Sequence, residues 1–89
     1  MHHLILYSRS YCHLCHDMEQ AVLRWQSRFS FTLDVLDVDA DFAAVQQFDE
    51  LVPVLLGRQG TGPLQEICHY FMDEPRLQAF LSGAPAGHE

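Results

Sequence analysis

The sequence predicts an α/β fold in the order βαβαββα, a four-stranded mixed sheet flanked by three helices, on three observations. A short apolar run near the N-terminus stops at a Ser-Arg-Ser turn. Apolar residues then recur at steps of three and four. In the second half, two apolar runs flank a loop rich in glycine, and a last periodic segment follows.

Taken in order, His3 to Tyr7 ("HLILY") is short and apolar, which suits a strand buried on both faces. Leu14, Met18, Ala21, Val22, Trp25 and Phe29 then place one apolar face on a helix from about Cys12 to Arg28. Asp17 and Glu19 early and Arg24 and Arg28 late complement its dipole. "FTLDVLDV", Phe31 to Val38, is the second strand, and Asp39 or Asp41 after it can cap a helix carrying Phe42, Val45 and Phe48. That helix must stop before Pro53, because the residue preceding a proline is pushed out of the helical region. Val54 to Leu56 is the third strand, "GRQGTGP" a flexible hairpin loop, and Leu64 to Tyr70 the returning strand. Asp73 caps the last helix, Pro75 lies in its first turn, Leu77, Phe80 and Leu81 form its buried face, and Gly83 ends it. The first strand-helix-strand unit predicts a parallel pair with a right-handed crossover, and the last two strands an antiparallel hairpin. Residues 1–83 form one domain, and 84–89 a frayed tail.

Composition narrows the function. The 89 residues carry a formal charge of −7 with five arginines and no lysine, which argues against nucleic-acid and anionic-membrane partners. The apolar run at Leu4 to Leu6 has no basic leader or cleavage site, so a cytoplasmic protein is expected. Three cysteines do not form a stapled secreted scaffold, and in a reducing compartment a C-x-x-C is catalytic or metal-binding more often than structural.

The pair in "YSRSYCHLCHDMEQ" falls where the first strand gives way to the first helix. Cys12 is placed at the helix N-terminus, where free amides and the dipole stabilise a thiolate, so it is the expected nucleophile. Cys15, one turn on, lies on the same face and deeper, and is the expected resolving thiol. Arg9 is the one cation within several residues and would favour the charged form of Cys12. His13 is expected to face solvent and tune the thiolate, while His16 reads as a plain surface histidine. Four ligand-type residues within one helical turn, Cys12, His13, Cys15 and His16, cannot all converge on one ion, so no metal site and no cofactor are expected. Cys68, on the fourth strand, reads as a small buried hydrophobe.

In "LILYSRSYCHLC", "DVDAD" and "LVPVLL", and in element order over about residues 3–82, the sequence resembles the glutaredoxin family of the thioredoxin superfamily. The resemblance implies spatial strand order four, three, one, two, and a cis Val52–Pro53 bond whose backbone pairs with a bound substrate. It also implies that Tyr11 walls the substrate groove, against an ordinary half-buried aromatic. The sequence departs from the family where that family holds glutathione. Leu51 stands where threonine is common, Asp49 and Glu50 where a basic or amide residue is common, and His69, Tyr70 and Phe71 where a Gly-Gly pair is common.

The expected function is therefore thiol-disulfide exchange by a monomer on a disulfide-containing protein or small thiol substrate, with weak glutathione dependence. A peptide-binding adaptor without turnover and a metal- or Fe–S-carrying module are the alternatives.

Overall fold

The computed structural model describes residues 2–82 of the chain. Its elements are β1 (His2–Ser8), α1 (His13–Arg24), β2 (Phe31–Asp37), α2 (Phe42–Phe48), β3 (Val54–Gln59), β4 (Gln65–His69) and α3 (Glu74–Leu81), with 3-10 turns at Trp25–Ser27 and Val38–Ala40. The sheet runs β2-β1-β3-β4. β1 and β2 are parallel, from His2 opposite Phe31 to Ser8 opposite Asp37, and β3 runs antiparallel to both β1 and β4. This is the mixed α/β arrangement that the sequence predicts. The expected helix stop at Gly83 and the tail 84–89 lie outside the described residues.

β1 is buried on both faces because the strand alternates its side chains between two apolar clusters. Leu4 and Leu6 join Leu55, Cys68, Met18, Val22 and Leu77 in the larger core. Ile5 joins Val54 and Leu56 in a smaller one, edged by Tyr7, Phe48 and Leu51. Leu4, Leu6, Leu55 and Leu77 are fully buried, and each such side chain contributes about 1.5–3 kcal/mol relative to exposure.

Several expectations are corrected. Leu14 is 38% exposed, and Cys15 takes its place on the inward stripe of α1 with Met18, Ala21 and Val22. The helix starts at His13, so its first turn holds no acidic residue and Asp17 lies beyond it. Phe42 is 77% exposed: α2 has seven residues and buries Ala44, with Val45 and Phe48 half-buried.

β3 continues through Gly57, Arg58 and Gln59, which were expected to belong to the loop. Gly57 is there because α3 crosses closely. A β-carbon at that position would stand 2.6 Å from the Phe80 ring, inside any van der Waals contact, so glycine serves the packing and not a turn. The turn itself falls at Gly60, in the left-handed region at φ 59°.

Candidate functional site

The site lies where β1, β2 and the start of β3 end together. Tyr7 stands opposite both Leu36 on β2 and Val54 on β3, so the loops after Ser8 and before Val54 emerge side by side. From Ser8 the chain must turn within a few residues to enter α1. Tyr11 takes the left-handed conformation, φ 61°, to do so, a strain of roughly 1–3 kcal/mol for a residue with a β-carbon.

Cys12 follows as the N-cap of α1, with extended backbone at φ −109° and ψ 108°. Its carbonyl accepts the His16 N–H at 3.1 Å, and its sulfur accepts the Cys15 N–H at 3.1 Å, the role a serine or aspartate oxygen fills at other helix starts. Cys12 and Cys15 are joined as a disulfide with a Cα separation of 5.2 Å. Cys15 is 3% exposed, whereas Cys12 is half-buried. The sulfur at the helix start is therefore the more accessible of the two and the one within reach of free amides.

An open groove of about 550 Å³ is lined by Ser8, Arg9, Tyr11, Cys12, His13, Cys15, His16 and Glu19. It brings together every sequence-expected site residue except Val52 and Pro53. Tyr11 stands fully exposed at its wall rather than half-buried. His13 and His16 both face solvent. Among the described residues no group of three or more His, Cys, Asp or Glu side chains could hold a metal ion.

Arg9 is differently employed from its sequence reading. Its Nε and Nη2 donate to the Asp39 carboxylate at 2.9 and 3.0 Å, and Nη2 also donates to Asp49 Oδ1 at 2.5 Å. These bonds, to Asp39 first and Asp49 second, raise the guanidinium pKa above its ordinary value. The three groups together carry one net negative charge. Arg9 thus ties the cysteine loop to the turn after β2 and to the end of α2, instead of standing free beside Cys12. Asp41, not Asp39, caps α2, accepting from Ala43 and Ala44 N–H at 3.0 and 3.4 Å.

Directly before β3, the Val52–Pro53 peptide bond is cis and the Pro53 ring is buried. The Pro53 carbonyl accepts the Tyr70 N–H at 2.8 Å, and the Tyr70 hydroxyl donates to the Glu50 carbonyl. Tyr70 has φ 65°, a conformation glycine adopts without cost. The sequence showed bulk at this position, yet only the structure shows that a tyrosine adopts the left-handed turn and uses its side chain as a strap. Asp39, Glu19 and Tyr70 are the residues that sequence reasoning missed as part of the site. A signal existed for Asp39: the chain holds one cation near the cysteines and several acids able to pair with it.

Cys68 lies away from these groups, buried in the larger core. Burial is the main cause that pushes its thiol pKa up, with a hydrogen bond from the Asp73 backbone opposing.

The chain matches the family model of the glutaredoxin-like domain (DUF836) over residues 3–82. It is similar to the solution structure of protein Ne2328 from Nitrosomonas europaea, at 31% identity and TM-score 0.79, over 90% of this chain and 91% of that one. The X-ray structure of protein XcR50 from X. campestris is 34% identical with TM-score 0.59, covering 92% of this chain and 99% of that one. Oxidised thioredoxin O2 from Arabidopsis thaliana shares the fold at 18% identity and TM-score 0.68, over 94% of this chain and 75% of that one. No curated protein matches the sequence.

Proposed function

The chain belongs to the glutaredoxin-like DUF836 family, and we propose that it is a thiol-disulfide oxidoreductase working through Cys12 and Cys15. The observation that carries this reading is the cysteine pair at the start of α1, with one sulfur in an open groove and its partner buried one turn behind. Cys12, as thiolate, attacks a substrate disulfide and displaces one substrate thiol. Cys15 then attacks the Cys12 sulfur, releases the second thiol and leaves the Cys12–Cys15 disulfide. Val52 and Pro53 lie outside the groove lining but directly before Val54, which pairs with Tyr7 at the same end of the sheet. In this reading their backbone pairs with an extended substrate, and His13, which lines the groove, tunes Cys12. No helix among the described residues is long and apolar enough to cross a membrane, and a reducing compartment such as the cytoplasm would keep the dithiol form charged with electrons.

Glutathione is a poor partner in this reading. Its carboxylates would meet Asp49 and Glu50, while Arg9, the nearby cation, already holds two carboxylates. Each charge-assisted hydrogen bond left unmade forgoes about 1.5–3 kcal/mol, or roughly 10- to 100-fold in binding. Reduced protein should convert hydroxyethyl disulfide to thiol with formation of Cys12–Cys15, and a dithiol reductant should then restore it. Absence of exchange would overturn the redox reading. Recovery by glutathione as fast as by the dithiol would overturn the glutathione part alone.

A further inference from the structure

Resting on the disulfide-exchange reading, we propose that the groove selects polypeptide disulfides flanked by cationic residues. The first observation is its shape. A second groove of about 250 Å³ shares Ser8 and Arg9 with the first and is walled by Val35, Leu36 and Asp37. The two adjoin at Ser8 and Arg9, so that the surface concavity borders Cys12 on one side and Val35 and Leu36, each 41% exposed on the edge strand β2, on the other. Two adjoining grooves suit a polypeptide that reaches from the cysteines to the apolar residues of β2, more than a small disulfide confined to the first.

The second observation is charge. Glu19 lies in the groove, Asp37, Asp39 and Asp41 surround the turn after β2, and Asp49 and Glu50 follow α2. Against these six carboxylates stands Arg9, itself bound to two of them. The other arginines serve elsewhere. Arg24 and Arg28 lie at the far end of α1, at least about 18 Å along the helix from Cys12. Arg58 sits four residues up β3 from Val54, about 13 Å from its start, and Arg76 donates to the Glu66 carbonyl. The cysteine end of the molecule is thus acidic and the opposite end holds most of the cations. A lysine- or arginine-bearing segment is drawn to this rim, whereas anionic thiols are repelled. Tyr11, 104% exposed beside Cys12, offers a ring face to such a cation.

The chemistry balances without a further reactant for one turnover. The reduced protein gives two electrons, the substrate S–S bond breaks, two substrate thiols form, and Cys12–Cys15 closes. Three probes separate the possibilities: hydroxyethyl disulfide, a peptide disulfide flanked by lysines, and the same peptide flanked by glutamates. Each reacts in single turnover with pre-reduced protein near pH 8. Dividing each rate by that with dithiothreitol corrects for the leaving thiol.

At low ionic strength the lysine peptide should react at least about 10-fold faster than the glutamate peptide, and the ratio should collapse towards one at about 0.5 M salt. The double variant Glu19→Gln, Glu50→Gln should shrink the ratio by about twofold per charge removed. A ratio near one at low salt, with the neutral disulfide still reduced, overturns the charge selection and leaves the redox reading standing. Failure to reduce any of the three overturns both.

Discussion

Cys15 and Cys68 are shielded almost equally from water, at 3% and 6% exposure, and yet their surroundings give them opposite characters. Cys15 lies one turn inside α1 with the Cys12 sulfur as its neighbour and the groove beyond. Cys68 lies on β4 opposite Leu55, among side chains that offer its sulfur no redox partner. Burial alone therefore does not separate a reactive thiol from a packing one. The neighbour does: the Cys15 sulfur has the Cys12 sulfur beside it, whereas Cys68, although its sulfur meets the Asp73 backbone at the start of α3, has no second thiol.

The largest break in this comparison comes from deleting the proposed nucleophile. Cys12→Ser should lower single-turnover disulfide reduction by about 10³-fold or more, since a serine hydroxyl does not ionise there, while Cys68→Ala should stay within about twofold of the parent. Equal losses from both variants would mean that Cys68 takes part.

Stability should respond in the reverse order. Leu55→Ala, next to Cys68 in the sheet, should cost about 2–5 kcal/mol in denaturant unfolding. Cys68→Ser should cost about 1–3 kcal/mol through burial of a hydroxyl. Cys12→Ser should cost less than either when compared with the reduced parent, because serine is itself a good N-cap. Because the Cys68 thiol pKa is raised in the fold, its contribution is complete below the unfolded-state pKa and is lost as pH rises through the folded one. Alkaline destabilisation should therefore be weaker in Cys68→Ala.

The Tyr70 strap beside Pro53 and the Arg9 cluster sharpen the comparison further. Tyr70→Phe removes the hydroxyl that donates to the Glu50 carbonyl and should cost about 0.5–1.5 kcal/mol, with slower exchange for peptides than for hydroxyethyl disulfide. The smallest effect belongs to Arg9. Arg9→Met takes its group with Asp39 and Asp49 from one to two net negative charges, but the guanidinium bonds those carboxylates and not the Cys12 sulfur, so the pH midpoint of Cys12 alkylation should rise by less than about half a unit. A larger shift would restore Arg9 as the group that tunes the thiolate.

Much of this fold was legible because its signals are local. The β1 run, the stripe of α1, the Asp73 cap and the strand order need only period and turn chemistry, plus a family likeness carried by the cysteines and "LVPVLL". What failed to be legible depended on tertiary contacts. Gly57 looked like a loop residue because its reason, the ring of Phe80, lies on another element. Leu14 and Cys15 are both apolar neighbours on one turn, and period alone does not say which points inward. At the site, the cysteines and their order along the helix were readable, whereas the pairing of Arg9 with Asp39 and Asp49 spans thirty and forty residues of sequence. Tyr70 in a left-handed turn contradicts residue preference outright, and bonds to Pro53 and Glu50, with the His69 ring packed edge-on, accompany it.

The central claim, that Cys12 attacks and Cys15 resolves while Cys68 only packs, is tested most directly by trapping. Reduced Cys15→Ser protein mixed with a cysteine-containing peptide disulfide should accumulate one covalent adduct, and peptide mapping by mass spectrometry should place it on Cys12, released by a dithiol. An adduct on Cys68, or none under conditions where the parent oxidises, would contradict the account.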